Sequence, residues 1–180
     1  MGLYRAERLK RDYSVDVEWK AFELKPGTPL EGIPRPQKPG EKNELSPNAK
    51  LLSEELGLKM QRPNFIPCSR PALEAAEYAK EHGVFDQFHL AVFKAYWEDA
   101  RNIGHISVLR DLAGKCGMDG NGLELRLLDH YYSSAINRQI EEALELGITL
   151  IPSFIIGNHL IEGPQPYELF QRIMSLANPG

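Results

Sequence analysis

Few side chains in this 180-residue chain are of the kinds that do covalent or metal chemistry. Its two cysteines, Cys68 and Cys116, stand far apart and form neither a Cys-x-x-Cys nor a zinc-type pair. They read as two separate thiols, ahead of a disulfide between them or a nucleophilic role. His82, His89, His105, His130 and His159 show no ligand spacing, so each is expected on the surface or in the core rather than on a metal. No metal or cofactor site follows from these residues. The most informative position is Pro152, within "GITLIPSFIIGNHLIEGPQP" (residues 147–166). Proline lacks the donor that a strand ladder uses, so it belongs at a strand's first residue, on an edge or at a bulge. Pro152 therefore either punctuates a strand or belongs to a site.

The elements that would position it can be read from periodicity. Residues 2–13 place Leu3, Ala6 and Leu9 at helical spacing. "SVDVEW" alternates Val15, Val17 and Trp19 with Asp16, Glu18 and Lys20, which predicts a half-buried strand over 15–19. Lys25 to Pro47 is rich in proline and glycine and is expected as an extended surface loop that carries function or covers a site. From there to Gly147 the pattern is helical. One helix starts at Ser46 and stops at Gly57; another starts near Ser69, with Pro71 in its first turn, and stops at Gly83. A third carries Phe85, Phe88, Val92, Tyr96 and Ala100 on one stripe, a core stripe by spacing. "SVLRDLAGKCG" and "GLELRLLDHYYSSAINRQIEEALELG" each read as one further helix. The period then shortens. "IPSFIIG" and "NHLIEG" form a two-strand hairpin turning at Gly157–Asn158, and Tyr167, Phe170, Ile173 and Met174 line a closing amphipathic helix.

Composition bounds the function classes. Apolar residues make up 42% and charged residues 26%, ordinary for a globular domain, and a net charge of −4 argues against nucleic acid or an anionic membrane as partner. No stretch approaches the roughly 20 apolar residues that span a bilayer. "MGLYRAERLKRDY" has no apolar core of a secretory signal, so a cytoplasmic location is expected.

"VEWKAFELKPGTPLEG", "SRPALEAAEYAKEHGVFDQFHLAVFKAYWEDARNIG" and "ALELGITLIPSFIIGNHLIEGPQPYELF" resemble the DsbA-like thioredoxin family, and most of all its cytoplasmic FrnE-type branch of dithiol-disulfide oxidoreductases. The resemblance covers nearly the whole chain. It implies an α/β, thioredoxin-like fold: residues 1–46 and 147–180 forming the thioredoxin-like portion, residues 47–146 a large all-helical insertion. Spacing alone favours a trans proline that starts a strand; the resemblance implies a cis Pro152, with the main chain of Ile151 free to pair with an extended substrate. Protein or peptide thiols and disulfides, and glutathione, are the partners it implies.

In one respect the chain departs from the family. Relatives carry a Cys-x-x-Cys at the N-terminus of the first helix, where the helix dipole lowers the attacking thiol's pKa. The basic helix of residues 2–13 matches the family's segment just after that motif; the motif, and the central strand before it, would lie just upstream of Met1. The central strand is accordingly expected to be missing between the strand at 15–19 and the hairpin, leaving two unpaired edges and a slot. An internal Met taken as the start is the expected explanation, and the 180-residue chain is expected to be redox-inactive. A glutathione-dependent isomerase or transferase relative and a non-catalytic peptide-binding module are the alternative readings.

Overall fold

Leu3, Ala6 and Leu9 recur on one face of a basic helix and are all buried, which is why residues 2–13 hold helical form against a core. In the computed structural model, which describes residues 2–37, 44–55, 57 and 59–177, the elements run α1 (Gly2–Tyr13), β1 (Ile33–Pro34), α2 (Pro47–Glu55), β2 (Phe65–Ile66), α3 (Arg70–Glu81), α4 (Phe85–Trp97), α5 (Ile106–Lys115), α6 (Gly120–Leu128), α7 (Ser133–Glu145), β3 (Ser153–Ile156), β4 (His159–Glu162) and α8 (Tyr167–Ala177). The chain divides into two compact units, Met1–Leu24 with Ile140–Gly180, and Lys25–Gln139.

The first unit joins both ends of the sequence. β3 and β4 form an antiparallel hairpin with Phe154 opposite Ile161 and Ile155 opposite Leu160. Side chains alternate across a strand. Phe154, Ile156 and Ile161 thus join Leu9, Tyr167, Phe170, Ile173 and Met174 in one core, while Ile155 and Leu160 stay exposed. Phe170 is fully buried, its ring meeting Phe154 edge-on at 5.0 Å between centroids.

The second unit is a helical assembly. Its core gathers Ala75, Phe88, Val92, Leu109, Leu112, Leu123 and Tyr132; of the stripe expected on α4, Phe88, Val92 and Tyr96 are buried, while Phe85 is half-buried and Ala100 lies beyond the helix's end. Glu74 is buried there; its Oε1 accepts Arg70 Nε at 3.0 Å and Ser133 Oγ at 2.6 Å, tying the start of α7 to α3.

Three expectations change. Residues 15–19 form no strand, although their burial alternates with period two: Val15, Val17 and Trp19 are half-buried, Asp16 and Glu18 exposed. A strand is defined by its ladder, and no described strand runs beside this segment to complete one. The long helix expected after Gly120 is two, α6 and α7, because the chain turns over 129–132 with His130 in the left-handed region (φ 51°) and Tyr132 entering the core, its hydroxyl on Glu81 Oε2 at 2.5 Å. The proline-rich segment is more than loop: β1 pairs with β2, and Arg35 donates to the carbonyls of Pro63 and Phe65 and to Tyr96 Oη. Residues 38–43 of that segment lie outside the described residues.

Candidate functional site

The turn into β3 is braced on both sides of Ile151. Ser153 Oγ donates to Leu150 O at 2.6 Å, Gly163 N–H donates to Pro152 O at 2.8 Å, and Thr149 N–H reaches Glu162 Oε1 at 3.4 Å. Gly163 adopts a φ of 76°, a left-handed conformation that glycine reaches without strain, and this aims its N–H back across the hairpin at Pro152. The Ile151–Pro152 bond is cis. Between these clamps, the N–H and C=O of Ile151 have no hydrogen-bond partner among the described residues, and its side chain is 49% exposed. Leu150, Ile155 and Leu160 are exposed as well, so the outer face of the hairpin end is apolar.

The N-terminus of α1 lies against this turn. A Cβ built on Gly2 would fall 2.8 Å from Pro152 Cβ and 4.0 Å from Phe154 Cζ, so the helix reaches the proline only because residue 2 has no side chain. Sequence reasoning selects Ile151 and Pro152 but not Gly2, Ser153, Glu162 or Gly163. A glycine in the first turn of a helix and another after a strand are commonplace signals, and only the fold brings both onto the same proline.

Along the next turns of α1 beyond Gly2, a basic and aromatic cluster anchors α1 to α8. Arg8 lies over the Tyr167 ring at 3.7 Å, Arg5 at 5.6 Å, and Tyr167 Oη donates to Asp12 Oδ2 at 2.9 Å. Burial, aided by the Asp12 hydrogen bond, pushes the Tyr167 phenol up to about 12. The Tyr167 hydrogen bond, followed by the neighbouring Arg11 and Arg8, holds the Asp12 carboxyl below its ordinary value.

Neither thiol belongs to this unit. Cys68 and Cys116 are buried residues of the second unit, neither of them in a disulfide, and burial pushes the Cys116 thiol up, away from the thiolate form that attacks disulfides. Among the histidines, His82 Nδ1 meets Tyr78 O at 2.8 Å, His105 meets Asn102, and the His89 ring lies 4.9 Å from those of Phe85 and Phe93, tilted against both. Among the described residues no group of three or more potential ligands gathers around a metal position, and no helix is long and apolar enough to cross a membrane.

Comparison with known proteins places this geometry in a family. The model of the DSBA-like thioredoxin domain matches residues 2–175. YwbO of Bacillus subtilis (strain 168) is 31% identical over 181 residues, covering 97% of this chain and 88% of that protein. Two solved structures share the fold. The probable DsbA oxidoreductase SCO1869 from Streptomyces coelicolor superposes with a TM-score of 0.81 at 23% identity, covering 98% of this chain and 82% of the other. A 2-hydroxychromene-2-carboxylate isomerase superposes with a TM-score of 0.67 at 16% identity, covering 97% and 86%. A family match across almost every residue, together with a mostly helical thioredoxin-like architecture, establishes that the chain belongs to the DSBA-like thioredoxin domain family.

Proposed function

We propose that this chain is a FrnE-type member of the protein thiol-disulfide oxidoreductases and isomerases, acting in the cytoplasm, and that its 180 residues hold the substrate-binding side of the exchange site. Ile151 receives an extended segment of a protein or peptide thiol or disulfide as an added strand, and Pro152 backs that segment. The observation that carries this reading is the unpartnered main chain of exposed Ile151, set between two neighbours whose carbonyls are already engaged. The exposed apolar side chains of Leu150, next to it in the chain, and of Ile155 and Leu160, farther along the hairpin, suit an unfolded or extended partner.

Disulfide exchange requires a thiolate attacking a sulfur through a mixed disulfide. The chain contains no Cys-x-x-Cys, and its two thiols are buried in the other unit. We therefore assign substrate holding, and no redox turnover, to the chain by itself.

Two measurements test this. In an insulin-reduction assay the 180-residue chain gives no turnover above the uncatalysed rate; turnover that disappears in Cys68→Ala or Cys116→Ala would refute the redox-silent assignment. Titration with a cysteine-containing extended peptide, followed by amide NMR, moves Ile151, Ser153 and Gly163 first. Shifts that leave these three untouched would remove the substrate assignment.

A further inference from the structure

The turn around Ile151 carries a charge as well as an open main chain. Glu162 closes β4 opposite Ser153, and its Oε1 lies 3.4 Å from Thr149 N. The carboxylate thus stands across the turn from Thr149 to Ser153, which has Ile151 at its centre. Glu162 is half-buried and has no ion-pair partner among the described residues. Its main-chain oxygen accepts Gln165 Nε2 at 2.9 Å, which holds the end of the strand. The surroundings have the same sign. Residues 140–180 carry Glu141, Glu142, Glu145, Glu162 and Glu168 against a single arginine, Arg172, and no lysine. Lys20 binds Glu142 at 3.1 Å, but Glu141 and Glu145 have no ion-pair partner among the described residues. Both lie at the end of α7, from which the chain enters the turn. No basic residue stands in the last turn of α7, so the partial negative charge of that helix end is not offset.

Complementary charge steers a partner into a site and rejects partners of the wrong sign. Resting on the substrate role given to Ile151, we propose that Glu162 sets the specificity of that site. It selects extended protein segments with a lysine or arginine two residues along from the one paired with Ile151. The spacing follows from strand geometry. A segment laid against Ile151 passes Thr149 two residues later, and side chains two apart share a face. The side chain on that face at Thr149 meets the Glu162 carboxylate. Lysine and arginine suit both features of the place: the apolar stem packs on exposed side chains such as Leu150, and the charged head reaches the carboxylate. An acidic segment is repelled by Glu162 and by the field of Glu141 and Glu145.

The probe is a cysteine-containing extended peptide with lysine, glutamine or glutamate placed at each position in turn, titrated into the full 180-residue chain. At one position lysine binds about two- to fivefold tighter than glutamine, and glutamate binds more weakly than glutamine by a similar factor. That lysine also moves the Thr149 amide, which is bonded to the carboxylate, more than glutamine does. Glu162→Gln keeps an acceptor for Thr149 and removes the charge. It abolishes the lysine preference while Ile151, Ser153 and Gly163 still shift on binding. Salt at about 1 M also abolishes it, because the screening length falls to about 3 Å. A lysine preference of equal size in Glu162→Gln, or one unchanged at high salt, would overturn the assignment. Equal binding of all three peptides, with Ile151 still shifting, would overturn it too and leave the substrate role of Ile151 standing. Peptides that leave Ile151, Ser153 and Gly163 untouched would remove that role, and the role of Glu162 with it.

Discussion

The backbone of Gly2 packs directly on the ring of Pro152: a Cβ added at Gly2 would lie 2.8 Å from Pro152 Cβ, closer than carbon atoms approach without displacement. Alanine is ordinarily about 1 kcal/mol better than glycine inside a helix, but overpacking a tight contact costs about 1–3 kcal/mol. Gly2→Ala is therefore expected to give no stabilisation, and Gly2→Val to lose about 1–3 kcal/mol in urea titrations. Pro152→Gly removes the opposing Cβ, so a double-mutant cycle between the two positions should return a coupling of about 0.5–3 kcal/mol. Additive effects would mean that the helix end moves away at no cost.

Tyr167 makes stability depend on alkaline pH. Its phenol titrates near 10 in an unfolded chain and at about 12 in the folded one. The folded state is therefore at full strength below pH 10 and weakens as pH rises through 12, by about 2–3 kcal/mol in total. Tyr167→Phe should flatten this limb, measured as denaturant midpoint against pH. At neutral pH the same substitution should cost about 1 kcal/mol for the lost hydrogen bond to Asp12. Asp12 behaves in the opposite sense. Its folded-state value is lowered, chiefly by Tyr167, so its contribution is present above the ordinary value of 3.8 and disappears as pH falls through the lowered one. In Tyr167→Phe that acid transition should move up toward 3.8, visible by NMR titration of the Asp12 carboxyl.

Glu74 is 2% exposed and bonded to both Arg70 and Ser133. Removing one member of a buried, hydrogen-bonded pair leaves the other desolvated, so Glu74→Ala should cost about 3–5 kcal/mol, less where Arg70 finds water. Replacing the pair together, Arg70→Met with Glu74→Leu, should restore much of that loss. Equal losses in the single and double variants would mean that the bonds Arg70 and Glu74 make to Ser133 and Asn137, rather than their bond to each other, carry the cost.

Cys68 and Cys116 are 8% and 7% exposed. A maleimide should label neither in the native chain at neutral pH except through transient opening, and both at once in denaturant. Cys68→Ala and Cys116→Ala should each cost stability as small buried side chains do, without altering peptide binding at Ile151. Rapid native labelling of either thiol would show a route to solvent that burial denies.

The helices of the second unit are legible because their information is local. Caps, glycine stops and a 3.6-residue apolar stripe lie within one segment, and α4 buries Phe88, Val92 and Tyr96 as that stripe requires. The hairpin is legible for a similar reason, since Gly157 and Asn158 set the turn between two β-rich runs and the register comes from that turn. The break at 129–132 is not, because no glycine or proline marks it; it exists so that Tyr132 can enter a core made by distant residues. The same distinction separates two β-like patterns. The alternation of Val15, Val17 and Trp19 predicts half-burial correctly and a strand wrongly. Burial is a property of each side chain, whereas a strand needs hydrogen bonds from a neighbour that the pattern does not name. So the sequence by itself determined the family, the helices, the hairpin and the choice of Ile151 and Pro152. Only the tertiary structure decided that Gly2 closes on that proline, that Gly163 and Ser153 brace it, and that Val15 and Val17 line one apolar cavity with Phe154 and Ile156. Each of these joins residues far apart in the chain, and local periodicity carries no record of such contacts.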